Sequence, residues 1–132
     1  MTHLLDTHSF IWSAFSPKRL SKTARTAITD TSNDIIVSAV TFWEISLKCA
    51  LGKLELTGTT PEELPDIAES MGFEMLPLTV TEASSFHRLP HEAHRDPFDR
   101  MLVWQAISLQ ASLITKDPDL ATYANDGLII CW

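Results

Sequence analysis

The chain has 132 residues, of which 45% are hydrophobic and 20% are charged, so it can form one domain, residues 1–132, around a hydrophobic core. Its net charge of −7 argues against a protein that holds nucleic acid by bulk positive charge. A polyanionic ligand would need a local basic patch or a bound metal ion.

The cysteines and the N-terminus indicate a cellular compartment. Cys49 and Cys131 are far apart and form no C-x-x-C motif, which favours a reducing environment. Residues 1–6 lack the basic start of a signal peptide, and no uncharged apolar run reaches the roughly 18 residues of a membrane span. The sequence therefore predicts a cytoplasmic protein without a membrane segment.

The first half of the chain predicts two buried strands followed by helices. Residues 3–6 form a short apolar strand that ends in an acid, and residues 35–37 are typical of a strand buried on both faces. Helices are predicted from Asp6 or Thr7 to the Ser16-Pro17 break, over 22–29 with Ser21 as the cap, and over 41–51 before Gly52.

The second half continues the alternation of helices and strands. Helices are predicted over 61–71, 81–89, 97–110 and 118–125, and strands over 73–78, 111–115 and 128–131. Buried strands separated by helical crossovers indicate a mostly parallel sheet with both faces covered. We therefore expect an α/β fold: a three-layer α/β/α sandwich with five strands.

Two short motifs share the same arrangement of acids around a proline. In the segment Arg95-Asp96-Pro97-Phe98-Asp99-Arg100, an acid stands at the cap position, proline follows it, and a second acid lies on the first turn. The segment Lys116-Asp117-Pro118-Asp119 repeats this order. Capping and the helix dipole together would explain about 1–2 kcal/mol of stabilisation by each pair.

Glu44 has a comparable structural explanation. Thr41-x-x-Glu44 fits a capping box, although Glu44 also lies about one turn beyond a predicted strand. Both interpretations of Glu44 stay open at this point.

Acidic residues cluster where the predicted strands end or where the neighbouring helices begin. These residues are Asp6, Glu44, Asp96, Asp99, Asp117 and Asp119. Sites in open parallel sheets form at the carboxyl ends of the strands, so the acids would share one edge. Carboxylates that share a site repel one another, and a hard divalent cation such as Mg²⁺ or Mn²⁺ relieves that repulsion. Such an ion would also activate water and bridge the acidic protein to a phosphodiester.

Four blocks of the sequence resemble the ordered blocks of PIN-domain nucleases, and most closely the VapC-type toxins of bacterial toxin–antitoxin pairs. In chain order, they are Leu4-Leu5-Asp6-Thr7-His8, residues 37–45, His94-Arg95-Asp96-Pro97-Phe98-Asp99-Arg100-Met101-Leu102 and Leu113-Ile114-Thr115-Lys116-Asp117. The resemblance implies a metal-dependent ribonuclease that hydrolyses RNA phosphodiester bonds. It also implies strand order 3-2-1-4-5 in a five-stranded parallel sheet, a homodimer and a VapB-type antitoxin as partner.

The resemblance assigns roles to particular residues. It implies that Asp6, Glu44, Asp99 and Asp117 are the metal-binding and catalytic acids. Asp96 is an additional metal ligand or a helix cap. From its place just before Asp117, and not from the resemblance, Thr115 could hydrogen-bond a ligand, and Asp119 is a candidate for the same supporting role. Candidates for contact with RNA or an antitoxin are Lys18, Arg19, Lys22, Arg25, Arg95 and Arg100. The first four are also compatible with a solvated helix face.

Other functions fit the sequence less well. His87, His91 and His94 resemble zinc-ligand spacing, but Pro90 interrupts a helix there and no cysteine is near. A haloacid-dehalogenase-type phosphatase would need an acid at the position of His8, and a receiver domain would need paired acids after the first strand. A catalytically silent PIN module that acts through protein contacts remains the alternative.

Overall fold

A single parallel sheet of five strands organises the protein. The computed structural model describes residues 1–90 and 95–132. The strands are β1 Thr2–Leu5, β2 Asp34–Ser38, β3 Glu74–Leu76, β4 Ser112–Ile114 and β5 Ile129–Cys131. Their order across the sheet is β3-β2-β1-β4-β5, and all four pairings are parallel. The predicted α/β class and the implied strand order are confirmed.

Helices connect successive strands. The α-helices are α1 Thr7–Phe15, α2 Lys22–Thr29, α3 Ala39–Ala50, α4 Leu64–Ser70, α5 Val80–Ser85 and α6 Pro97–Leu109. The 3-10 helices are Pro17–Arg19, Pro61–Glu63, Phe86–Arg88 and Pro118–Asp126. In the part of the chain that the structure describes, no helix has the length and apolarity needed to cross a membrane.

Neighbouring residues of the central strand belong to two different cores. Leu5 packs in a cluster with Phe10 of α1, whereas Leu4 packs in a second cluster with Leu102 of α6. Successive side chains of a strand point to opposite faces, so each face of the sheet has its own apolar layer. This arrangement confirms that helices cover both faces.

The beginning of α3 differs from the sequence prediction. Its cap is Ser38, whose Oγ accepts a hydrogen bond of 3.0 Å from the backbone N–H of Val40. The predicted capping box at Thr41 and Glu44 is therefore wrong, because the helix already begins at Ala39 as the strand ends. Glu44 is consequently not needed to cap this helix.

Several other boundaries also move. The helix predicted over 61–71 begins with a 3-10 turn and becomes α-helical only at Leu64. The helix predicted over 81–89 begins earlier, because Thr79 and Glu82 form a capping box there, and it ends in a 3-10 turn. The segment after Asp117 is a 3-10 helix throughout, from Pro118 to Asp126.

Candidate functional site

Three aspartates from separate segments line one cavity. β1 and β4 are neighbours in register, with Leu5 opposite Ile114, so the residues that follow them leave the sheet at the same edge. Asp6 follows β1, Asp117 follows β4, and Asp99 lies on the first turn of α6. All three aspartates line a cavity of about 650 Å³. The structure thus brings together carboxylates that are up to 111 residues apart in the sequence.

Asp6 is the most deeply placed of these acids. Its side chain caps α1 by accepting a hydrogen bond of 2.8 Å from the backbone N–H of Ser9, and Asp6 is only 6% exposed. Burial raises the pKa of Asp6, although hydrogen bonds from Thr115 and Ser9 and the charge of His8 oppose this shift. The net upward shift indicates that these neighbours do not fully compensate the buried negative charge.

Thr115 connects two of the acids. Its hydroxyl hydrogen-bonds the carboxyl group of Asp6 and accepts a hydrogen bond of 3.1 Å from the backbone N–H of Asp117. Thr115 is buried directly after β4. The position suits the supporting role assigned to Thr115, and that role stays a prediction.

Glu44 is buried and is not one of the residues that line the cavity. It is 2% exposed, and its Oε1 accepts a hydrogen bond of 2.6 Å from the hydroxyl of Thr7, the residue next to Asp6. Its Oε2 forms an ion pair with the ammonium group of Lys48, one helical turn further along α3. Both oxygens are therefore held within the protein, and Thr7 joins Glu44 to the beginning of α1.

Lys48 links Glu44 with the acids of α6. Burial lowers the pKa of Lys48, but the hydrogen bond and charge of Glu44, together with the charges of Asp96 and Asp99, outweigh that effect and leave the pKa raised. The negative field of these carboxylates thus extends from α3 to the start of α6. At this position the carboxylates stabilise a cation that belongs to the protein itself, the ammonium group of Lys48.

Asp96 and Asp119 have identifiable structural roles. Asp96 caps α6, since its Oδ1 accepts hydrogen bonds from the backbone N–H groups of Phe98 at 2.9 Å and Asp99 at 3.3 Å. Asp119 donates its backbone N–H to Oδ1 of Asp117 at 2.9 Å, while its own side chain is exposed and does not line the described cavity. Asp119 therefore positions Asp117 through its backbone.

The predicted basic cluster separates in the structure. Arg19 lines the cavity, whereas Arg25 donates to the backbone oxygen of Pro17 at 2.9 Å. Lys18 and Lys22 are exposed and lie outside the cavity lining within the described residues. Their predicted contacts with RNA or an antitoxin stay predictions, but only Arg19 is placed beside the acids.

Arg100 is a structural residue. It is 6% exposed and donates to the backbone oxygens of Leu89 and Pro90 at 3.0 Å each and to the hydroxyl of Tyr123 at 3.2 Å. These contacts occupy the guanidinium group of Arg100 within the protein, and its predicted contact with RNA or an antitoxin stays a prediction. Arg95, by contrast, is exposed.

The carboxylates at the cavity have the chemistry of a divalent-cation site, but their oxygens do not converge on one position. Carboxylate oxygens are the ligands that Mg²⁺ and Mn²⁺ prefer, and a cation would offset the charge of the buried Asp6. Within residues 1–90 and 95–132, however, no three His, Cys, Asp or Glu side chains are grouped closely enough to hold a metal ion as they stand. Metal binding would require the side chains to rotate toward one another.

Only one of the three histidines of the zinc alternative lies within the described residues. His91 and His94 lie outside the described residues, and His87 is exposed in the 3-10 helix Phe86–Arg88. His87 alone cannot form a zinc site.

Sequence reasoning missed three residues that hold the acids in place. Ser9 satisfies Asp6, Thr7 satisfies one oxygen of Glu44, and Lys48 satisfies the other. Two of these contacts have sequence signals: Ser9 stands three residues after a cap, and Lys48 stands four residues after Glu44. The contact of Thr7 with Glu44 joins residues 37 apart and has no local signal.

A parallel sheet of this order, with acids beyond the carboxyl ends of its central strands, defines an open α/β domain with a candidate site at that edge. The PIN domain family matches residues 3–126, and the chain belongs to this family. Nuclease activity is typical of PIN domains. No curated protein matches the chain at a significant level.

The chain matches solved structures of the same fold over nearly its whole length. A chain of VapBC2 from Rickettsia felis, bound to a DNA fragment from its promoter, is 16% identical, with a TM-score of 0.72 and coverage of 98% of this chain and 97% of that one. A chain of VapBC-5 from Mycobacterium tuberculosis is 20% identical, with a TM-score of 0.61 and coverage of 98% of this chain and 96% of that one. A chain of VapBC-1 from nontypeable Haemophilus influenzae is 19% identical, with a TM-score of 0.63 and coverage of 98% of this chain and 96% of that one.

Proposed function

We propose that the protein is a metal-dependent endoribonuclease and the toxin of a VapBC-type toxin–antitoxin pair. The observation that carries the enzymatic proposal is the shared cavity of Asp6, Asp99 and Asp117, which come from three separate segments. A surface that served only protein contacts would have no need for a buried carboxylate whose charge is poorly compensated. The pocket therefore favours catalysis over a silent module.

Three acids would hold the metal ion, and a fourth would support them through hydrogen bonds. Asp6, Asp99 and Asp117 would bind Mg²⁺ or Mn²⁺ from the cavity, and Glu44 would support the site through Thr7 and Lys48. The ion would supply the Lewis acidity that activates water and offsets the charge of the phosphodiester.

The remaining assignments follow from hydrogen bonds. Thr115 and the Ser9 N–H would favour the ionised form of Asp6 and fix its rotamer, and the Asp119 N–H would orient Asp117. Asp96 would add its charge to the site while capping α6 with one oxygen. Hydrolysis would leave a 5′-phosphate and a 3′-hydroxyl, as the family resemblance implies.

The proposed partners rest on the related structures. The Rickettsia and Mycobacterium structures are named as VapBC assemblies, and the latter is described as a member of a toxin–antitoxin family. By analogy, we propose a VapB-type antitoxin and a homodimer for this chain, both located in the cytoplasm.

The test compares RNA cleavage by the wild type and by Asp6→Asn, each with Mg²⁺ and with EDTA. The asparagine keeps a side-chain oxygen for the cap of α1 but removes the charge. We expect cleavage only by the wild type with Mg²⁺. Equal cleavage in all four samples would reject the mechanism, and no cleavage by the wild type on any RNA tested would favour the silent module.

A further inference from the structure

Two cationic side chains lie over one indole ring at the same cavity. The guanidinium carbon of Arg19 is 4.7 Å from the ring centroid of Trp12, and Nζ of Lys116 is 5.8 Å from it. Both distances lie within the range of a cation–π interaction. Residues 19 and 116 are thereby brought together from the 3-10 helix after α1 and from the loop after β4.

Both cations share the cavity with the acids. Arg19, Lys116 and Trp12 line the same 650 Å³ space as Asp6, Asp99 and Asp117. Trp12 itself is only 8% exposed, so its ring cannot offer a free face for stacking a base. The side chains with a permanent positive charge that this side of the cavity presents to a ligand are the guanidinium of Arg19 and the ammonium of Lys116, both on exposed residues.

Charge explains why such a pair would be needed. A phosphodiester that approaches three carboxylates is repelled, and a single divalent ion would offset that repulsion only at the scissile phosphate. The neighbouring phosphates of a nucleic-acid strand would still face an acidic protein of net charge −7. Two fixed cations beside the acids would bind these phosphates and align the strand.

We propose that Arg19 and Lys116, positioned by Trp12, form a phosphate-binding pair that holds single-stranded nucleic acid beside the carboxylates of the cavity. This inference deepens the proposed function and rests on it. It also separates Arg19 from Lys18, Lys22 and Arg25, which the sequence alone could not distinguish. Lys116 joins the binding residues although the sequence presented it only as the neighbour of an acid.

Trp12 is a positioning residue in this arrangement. Its ring contacts both cations and packs near His8, with ring centroids 5.6 Å apart, and near Trp132 at 6.0 Å. These contacts restrict the two long side chains before a ligand arrives, which reduces the entropy lost on binding. Removing the indole should weaken binding without removing a charge.

The experiment measures binding of a labelled single-stranded RNA of about ten nucleotides as a function of salt. All proteins carry Asp6→Asn to block cleavage, and Mg²⁺ is present throughout. The variants are Arg19→Ala and Lys116→Ala, with matched controls Arg88→Ala and Lys53→Ala, which remove the same charges from exposed residues outside the cavity lining. Circular dichroism and thermal melting verify that each variant is folded.

We expect each cavity variant to raise the Kd about tenfold at about 50 mM salt and to reduce the log–log salt slope by about 0.7, the value for one lost phosphate contact on a single strand. The controls should change the Kd by less than about twofold, because bulk charge alone is screened. Trp12→Phe should raise the Kd while leaving the salt slope unchanged, which a purely charged contact would not do.

Four results would overturn the inference. They are no RNA binding by the parent protein, equal losses in the cavity variants and the controls, an unchanged salt slope in Arg19→Ala and Lys116→Ala, or losses confined to a parallel titration with an oligoglutamate peptide of equal charge. The last result would assign the pair to an acidic protein partner. The same measurements distinguish failure of this inference from failure of the proposed nuclease function. Wild-type cleavage of RNA with equal losses in all variants would reject only the inference, whereas selective binding losses without any cleavage would reject only the nuclease.

Discussion

Six helical segments in the described part of this protein begin with a side-chain cap, and these caps are of two kinds. Three helical segments at the cavity begin after an aspartate: α1 after Asp6, α6 after Asp96 and the 3-10 helix Pro118–Asp126 after Asp117. Asp6 and Asp117 line the cavity themselves, whereas α6 contributes Asp99 of its first turn. Three other helices begin after a hydroxyl: α2 after Ser21, α3 after Ser38 and α5 after Thr79. All six caps accept a hydrogen bond from the first turn.

The difference separates what a helix requires from what the cavity requires. Serine caps a helix about as well as aspartate does, so capping explains an acceptor oxygen but not a negative charge. A buried carboxylate costs more to desolvate than a hydroxyl, and the raised pKa of Asp6 is a sign of that cost. The charge at the cavity therefore needs a reason outside the folding of the helix, and a bound cation provides one.

The largest expected effect comes from exchanging the two kinds of cap. Asp6→Ser and Asp117→Ser keep a capping oxygen but remove the charge, so we expect Mg²⁺-dependent RNA cleavage to fall at least about 100-fold, since even outer hydrogen-bond partners of a metal contribute about 10–100-fold. Ser21→Asp adds a charge at a helix outside the cavity lining and should leave cleavage unchanged. A gel assay of RNA fragments measures all three.

Wild-type cleavage rates in Asp6→Ser or Asp117→Ser would remove the distinction between the caps. An equal loss in Ser21→Asp would indicate a general effect of added or removed charge rather than a local one.

A second prediction concerns the stability of a hydroxyl cap. Ser21 accepts a hydrogen bond of 3.0 Å from the backbone N–H of Ala24, and Ser21→Ala should lower the free energy of unfolding by about 1 kcal/mol. Urea denaturation measures the loss, and Ser21→Asn is the control that should restore it. A loss below about 0.3 kcal/mol would show that caps contribute little here.

A smaller effect is expected at Asp99. The backbone N–H of Asp99 is bonded to the cap residue Asp96, and its own carboxylate lies at the cavity. If that carboxylate is repelled by its neighbours, Asp99→Asn should melt no lower than the wild type without metal and should gain less on addition of Mg²⁺. A helix role for the Asp99 side chain predicts instead a metal-free loss of about 1 kcal/mol, which thermal melting would reveal.

The smallest expected effect is the change with pH in the stability that Asp6 contributes. Its folded-state pKa is raised above the ordinary 3.8, so its contribution to stability is fully present below pH 3.8 and is lost as the pH rises through the folded-state value. Metal-free Asp6→Asn should therefore melt higher than the wild type near pH 7, and this advantage should vanish below pH 3.8. An advantage that grew toward acid pH would contradict the assigned direction.

Much of the fold could be predicted from local patterns. The apolar runs at β1, β2 and β4 indicated a buried parallel sheet, and proline after an acid located the starts of α6 and of the final 3-10 helix. The pattern failed at α3, where Thr41 and Glu44 imitate a capping box but Ser38 takes the cap. Two competing caps three residues apart cannot be ranked without the position at which the strand ends.

The site was predictable to a lesser degree. The edge rule brought Asp6, Asp99 and Asp117 together, because it depends only on strand order and direction. It could not show that Glu44 turns to Thr7 and Lys48, or that Arg100 is buried against Tyr123, since these contacts depend on tertiary packing. Nor could composition show that Arg19 and Lys116 share one indole ring.

Titration of the metal-free protein with Mn²⁺ by calorimetry tests the central claim most directly, because it measures cation binding without any substrate. The samples are the wild type, Asp6→Asn, Asp99→Asn and the control Asp66→Asn, which removes an exposed acid from α4. The account predicts that the wild type and the control bind Mn²⁺ alike and that both cavity variants bind at least about tenfold more weakly. Equal binding by all four proteins, or no binding by the wild type, would contradict it.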